Sequence, residues 1–141
     1  MILQEAELVD TGPDGESYFY FFWSAVDRET SAVLPRKIEI CIHPESGRVS
    51  YFHAVDGGEV YIATVPSITS DEAVEIALAA LAEDSPRLQL DETVLAVSIF
   101  DGVQLLVWEV YFEVSGELGG PIDFFCVIIN AQTGEVMGEL M

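Results

Sequence analysis

Basic side chains are scarce in this chain. Five Lys and Arg stand against twenty-five Asp and Glu in 141 residues, a formal charge of -20 with both His neutral. That excludes the backbone of a nucleic acid as a direct partner, because neutralising phosphates takes clustered cations. Long apolar runs are missing too: no stretch approaches the roughly eighteen uncharged residues of a membrane-spanning helix, so no membrane insertion is expected. The N-terminus has neither a basic leader nor a small-residue cleavage segment, and no retained signal peptide is read there. Cysteine is limited to Cys41 and Cys126. Both lie in apolar, strand-like segments, where ordinary buried thiols are expected and a mutual disulfide stays open; two cysteines make no disulfide framework and leave the redox compartment undecided.

Catalytic signatures are also missing. There is no HExxH helix, GxGxxG loop, GKS or GKT phosphate loop, or CxxC pair. His43, His53 and Glu45 are metal-ligand types, but a hairpin turning through Pro44 to Gly47 sets His43 near Arg48 and His53 farther along the ladder, whereas chelation needs convergent ligands. Cys41 and His43 share a strand face at i,i+2, with no third residue to orient them and no oxyanion donor. Glu109 and Glu113 share a parity, and Asp14 and Asp101 occupy similar turns, yet an acid-base pair needs a pocket that separates two pKa values. The carboxylates therefore read as solvating the fold, and no EF-hand pattern collects them for calcium. The reading is a noncatalytic protein with no cofactor and no metal.

What is present is an apolar half, 50% of the residues, enough for one compact domain or two small units fused through a common core. A spacing organises it. Asp14-Gly15 precedes the apolar run Tyr18 to Trp23, and Asp101-Gly102 precedes Leu105 to Tyr111, an offset of 87 residues. At the same offset, Ile38 to Val49 falls on Phe125 to Val136; both pass from an apolar strand through a Gly-containing turn into another strand. The pattern reads as two diverged copies of one hairpin-rich unit.

Only the second copy has a clear helix before it. Thr69 and Glu72 form a capping box, Ile68 stands at the hydrophobic-staple position, and Val74, Ala77, Leu78, Leu81 and Ala82 follow the helical period. Asp71, Glu72 and Glu75 suit the positive end of the helix dipole, and Ser85-Pro86 marks the exit. A helix is predicted over about 70–84. Strands follow at Thr93 to Phe100, Val103 to Val114, Ile122 to Asn130 and Glu135 to Leu140, with Asp101-Gly102 as a tight hairpin turn and Ser115 to Pro121 as a connection. Trp108, Val110, Phe112 and Val114 share one parity and should meet the helix. Glu109, Tyr111 and Glu113 share the other and should meet water.

In the first copy Phe19, Phe21, Trp23 and Ala25 take the inward parity, but Tyr18, Tyr20 and Phe22 fill the opposite one as well. A solvated face has no need of three aromatics. They either pack against the second copy or form a face for a protein partner or a homodimer, where aromatics give large contact area at modest entropic cost. The candidate contact residues are Tyr18, Tyr20, Phe22, Tyr111 and Thr133. The first copy has no helix of its own, so its cover comes from the central helix and neighbouring strands, or the chain begins partway through a longer repeat protein.

The helix Ile68 to Leu78, with Trp108-Glu109-Val110 leading to the hairpin Val127 to Val136, resembles the PepSY family over residues 68–140, with a strand-only echo over 7–55. Asn130 stands where an Asp is frequent in that turn, and the first copy has His43-Pro44-Glu45-Ser46-Gly47. The resemblance implies an extracytoplasmic module, found in propeptides of secreted metallopeptidases and in cell-envelope proteins and linked to peptidase inhibition or regulation. It supplies no catalytic site. The expectation is an α+β protein of two antiparallel PepSY-like sheet units, residues 1–66 and 67–141, with one central helix. The alternative is an acidic cytoplasmic inhibitor or immunity-like protein that binds a basic toxin or nucleic-acid enzyme through its charge.

Overall fold

A computed structural model of the chain describes residues 1–10, 17–81, 88–114 and 123–140. The expected Asp14-Gly15 turn, the Ser85-Pro86 helix exit and the Ser115 to Pro121 connection lie outside them. The elements are β1 (Ile2–Val9), β2 (Tyr18–Val26), β3 (Val33–Ile42), β4 (Val49–Asp56), α1 (Ser70–Ala80), β5 (Leu88–Phe100), β6 (Val103–Val114), β7 (Asp123–Asn130) and β8 (Val136–Leu140). The fold is α+β, as expected.

The sheet is not divided in two. Its order is β1-β2-β3-β5-β6-β7-β8, with β4 paired to β3, so one mixed sheet runs through nearly the whole chain. Every neighbouring pair is antiparallel except β3 and β5, which meet in parallel at the single register pair Val33↔Ala96. The join is narrow for a physical reason. From Arg36 to Ile42, β3 spends this edge on β4, and only its first residues remain free to bond elsewhere.

Local chemistry accounts for the best-defined elements. Thr69 Oγ1 accepts from the Glu72 amide at 3.2 Å, and Glu72 Oε2 accepts from the Thr69 amide at 2.7 Å, closing the capping box. At the other end the Leu81 amide donates to Ala77 and Leu78 carbonyls. A helix of 11 residues is marginal alone. Packing sustains it: Ala73, Ala77 and Leu81 lie on Val110, Phe112, Val127 and Ile129 in one buried cluster. Trp108 flanks that cluster and its Nε1 donates to the Ile68 carbonyl at 3.1 Å, tying the helix entry to β6. Asp101 and Gly102, both at positive φ (49° and 79°), make the hairpin between β5 and β6, a conformation that glycine tolerates and aspartate accepts at small cost.

A second cluster, Ala32, Leu95, Val97, Leu106 and Ala131, extends the core beneath the segment 57–68 through Val60 and Ile62. Glutamines strap that segment down: Gln104 Nε2 donates to the Glu59 carbonyl and its Oε1 accepts from the Tyr61 amide, while Gln132 Nε2 donates to the Val65 carbonyl.

The β3-β4 and β7-β8 hairpins match bond for bond at the 87-residue offset. The Gly47 amide donates to the His43 carbonyl and the Gly134 amide to the Asn130 carbonyl, both at 2.9 Å. The His43 and Asn130 amides donate across their turns to Arg48 and Glu135 carbonyls, both at 2.8 Å. Both strand pairs carry a register shift at the same place, between Cys41 and Ile42 and between Ile128 and Ile129. The β2-β3 register is displaced by two residues relative to that offset, since Phe21 faces Ile40 whereas Val110 faces Val127; an even shift leaves the inward parity unchanged. The face of the first half that corresponds to the seat of α1 carries Phe21, Trp23, Ile38, Ile40 and Ile42, all only half-buried, with Phe52 63% exposed. Among the described residues no helix covers it.

Candidate functional site

The reverse face of the second half departs from the expectation that it meets water. Val107 is fully buried there, with Ala96, Cys126 and Ile128 beside it and Tyr111, Val33 and Met137 packed against them. The cause is the bridge between Val33 and Ala96, which brings β1, β2 and β3 round to this side. Where the two halves approach, they leave a cleft of about 400 Å³.

One wall comes from the first half: Gln4 and Glu5 on β1, Phe22 and Ser24 on β2, and Val33 on β3. The other comes from β5 and β6, where Glu92 faces Tyr111 and Val94 faces Glu109 across the ladder. Strand alternation explains each placement. Phe22 and Ser24 are two apart and point the same way, as do Glu109 and Tyr111, and Glu5 is the register partner of Phe22.

The electrostatics are one-sided. Three carboxylates line the cleft, and its described lining contains no Lys, Arg or His. The ion pairs among the described residues lie elsewhere, joining Arg36 to Asp56 and Lys37 and His53 to Glu39. Tyr111 donates its hydroxyl to Glu109 Oε2 at 2.7 Å, and burial together with that carboxylate pushes the phenol well above its ordinary range. Burial, reinforced by Glu109, also pushes the Cys126 thiol up to about 11. Glu5 is raised by partial burial and by Glu7 beside it. Ser24 is 1% exposed and its Oγ has no hydrogen-bond partner, the one such side-chain atom among the described residues.

The five residues singled out from sequence are therefore distributed. Phe22 and Tyr111 line the cleft from opposite halves. Tyr20 lies on the same face of β2 but donates to Glu39 Oε1 at 2.9 Å, and burial and that carboxylate push its hydroxyl up to about 12. Glu39 is held below its usual range by hydrogen bonds from His53 and Tyr20. Tyr18 is half-buried opposite Val9 at the end of β2. Thr133 is apart from all of them, exposed in the β7-β8 turn beside a separate groove formed with Gln132, Asn130 and Leu105. Its amide donates to Asn130 Oδ1, so Asn130 supplies the acceptor that an Asp gives in such turns.

Sequence reasoning missed Glu5, Ser24 and Glu92. Ser24 continues the Tyr20 and Phe22 parity and was legible as a polar break in an aromatic stripe; Glu5 and Glu92 become site residues only through pairings distant in sequence. The other chemistries considered find no geometry. His53 faces Glu39, while His43 Nδ1 accepts from the Ser46 amide inside its own turn. No group of three potential metal ligands is assembled among the described residues. Cys41 and Cys126 are free thiols. No described helix is long and apolar enough to cross a membrane.

The family model described as "Peptidase propeptide and YPEB domain", PepSY, matches residues 67–140, slightly more than half of the chain. The chain belongs to the PepSY family, and by that membership it is a noncatalytic module rather than an enzyme. No curated protein matches it.

Proposed function

We propose that this member of the PepSY family is a protein-binding module that regulates or inhibits a peptidase in an exported or cell-envelope setting. It is organised as two repeated units, residues 1–66 and 67–141, joined within one sheet, with α1 packed on the second. The observation that carries the binding role is that Phe22 and Tyr111, one aromatic from each half, both line the acidic cleft. Tyr18 and Tyr20 extend the contact along β2, and Thr133 offers a separate one at its turn. The matched turn bonds of the β3-β4 and β7-β8 hairpins support the two-unit organisation.

A second reading, an acidic cytoplasmic inhibitor of a basic toxin or nucleic-acid enzyme, draws on the same carboxylates and on the charge of -20. Affinity capture with the intact protein at low and high salt separates the two. Retention of a peptidase or envelope protein, lost in Phe22→Ala, is the expected result. A basic toxin or nuclease released by salt points to the second reading, and a retained set indifferent to Phe22→Ala contradicts a binding role for this cleft.

A further inference from the structure

We infer that the bare apolar face of the first half, on the other side of β2 from the cleft, receives an amphipathic helix presented by a protein partner, with small residues four apart on its inner stripe and basic residues on its outer one. Strand pairing sorts this half by polarity. Glu5, Glu7, Lys37, Glu39 and His53 share the parity of Phe22, while Phe21, Trp23, Ile38, Ile40 and Ala54 take the other. On that second face Leu3, Leu8, Phe19, Val49 and Phe52 are each more than a third exposed. Soluble monomers rarely expose a contiguous apolar patch larger than a few hundred Å², and larger ones mark contact surfaces.

The repeat identifies the occupant. At the 87-residue offset Val110, Val127 and Ile129 fall on Trp23, Ile40 and Ile42, and in the second half those three residues carry α1. The chain therefore covers one copy of this face with a helix, and that helix touches the sheet through the fully buried pair Ala73 and Ala77, one turn apart. Phe21 and Trp23 make the first-half face bulkier, so a helix lying on it needs small residues at the same spacing. The indole of Trp108 holds the entry of α1 by donating to the Ile68 carbonyl at 3.1 Å. Trp23, stacked on Phe21 with ring centroids 5.8 Å apart, has no acceptor for its Nε1 among the described residues and is placed to hold an incoming helix in the same way. A second copy of the chain is the poorer occupant, because two molecules of charge -20 repel, whereas a helix with lysine or arginine on its outer face is attracted.

The test titrates the intact protein with an acetylated, amidated peptide of its own residues 67–81 carrying Glu75→Lys and Ala79→Lys on the exposed side, following backbone and indole N–H resonances by NMR. Saturable shifts are expected around residues 21, 23, 38, 40 and 52, with the Trp23 indole moving, and the same peptide without the two lysines should bind more weakly at low salt. Phe52→Glu should weaken binding by roughly tenfold or more, because it sets a charge against apolar side chains. Tyr51→Glu, an equal charge change on the opposite face of the same exposed strand, should alter it by less than about twofold. Val49→Glu repeats the test on the same face if Phe52→Glu fails to fold. Trp23→Phe keeps the ring, removes the donor and should cost about fivefold in affinity. No saturable binding, equal losses in Phe52→Glu and Tyr51→Glu, equal binding of a peptide carrying Ala73→Glu and Ala77→Glu, or shifts confined to the seat of α1 overturns the inference. Self-association of the free protein in sedimentation velocity, abolished by Phe52→Glu, assigns the face to a second copy and overturns it too. Capture that depends on Phe22 is read separately, so the cleft and this face stand or fall independently.

Discussion

Tyr111 donates its hydroxyl to the carboxylate of Glu109, two residues earlier on the same strand, at 2.7 Å. The i,i+2 spacing puts both on one face of β6, and the face is the one turned toward the first half. The pair thus sets a ring and a carboxylate side by side on the wall of the cleft. Tyr111→Phe keeps the ring and removes the bond. It is expected to cost about 1 kcal/mol of stability, read from urea denaturation at neutral pH; a variant as stable as the parent would mean the bond contributes nothing net.

The same neighbourhood sets the alkaline limit. Cys126 is raised to about 11 and Tyr20 to about 12, both by burial first and a carboxylate second, and Tyr111 is raised by the same causes in the same order. Each group's folded pKa lies above its unfolded value, so the folded state holds protons that the unfolded chain releases. The stability they contribute is complete well below about pH 8.5, where an unfolded cysteine is half ionised. It is lost as pH rises toward about 11 and then about 12. Melting temperature should fall steadily across this range, and a flat profile between pH 9 and 11 would be inconsistent with it. Ellman's reagent at pH 8 should label Cys41 in the native protein and Cys126, 6% exposed, only on unfolding.

Glu5 has the opposite economy to an ion-paired acid. Its folded pKa is raised by partial burial and by Glu7, so the protonated form is favoured in the fold. Its contribution is present at pH below the unfolded value and is lost as pH rises through the folded one, leaving a charged group that destabilises at neutrality. Glu5→Gln should raise the melting temperature at pH 7, more at low salt than at high. Lower stability in Glu5→Gln would show that its carboxylate is satisfied in the fold.

Thr69→Ala tests the helix cap. It removes the acceptor for the Glu72 amide and is expected to cost about 1 kcal/mol. Because α1 covers Val110 and Phe112, the loss should appear in global unfolding rather than as local fraying, with hydrogen exchange accelerated on β6 and β7 together. Acceleration confined to residues 69–73 would mean the helix is not coupled to the sheet.

Local devices were legible in the sequence and distant pairings were not. The capping box, the Asp101-Gly102 turn and the Val103 to Val114 strand depend on residues within a few positions of one another, and each forms at its expected place. The helix stops at Ala80, and β5 starts at Leu88 rather than Thr93 because its register with β6 continues past the bulge between Leu90 and Glu92. The single sheet depends on Val33 meeting Ala96, a contact no periodicity announces. That contact also turns the reverse face of β6 inward, which is why Val107 is buried and why the outward parity of Glu109 and Tyr111 became the wall of a cleft. Phe22 and Tyr111 were visible as aromatics without a local purpose. Their company, Glu5, Ser24 and Glu92, was fixed only by the topology.

The most direct measurement is hydrogen-exchange footprinting of the intact protein with and without its captured partner. Protection at β1 and β2 around Glu5 and Phe22 together with β5 and β6 around Glu92 and Tyr111 is the predicted result, since the site exists only where the two halves meet. Protection confined to α1, or to the Thr133 turn, would contradict the account.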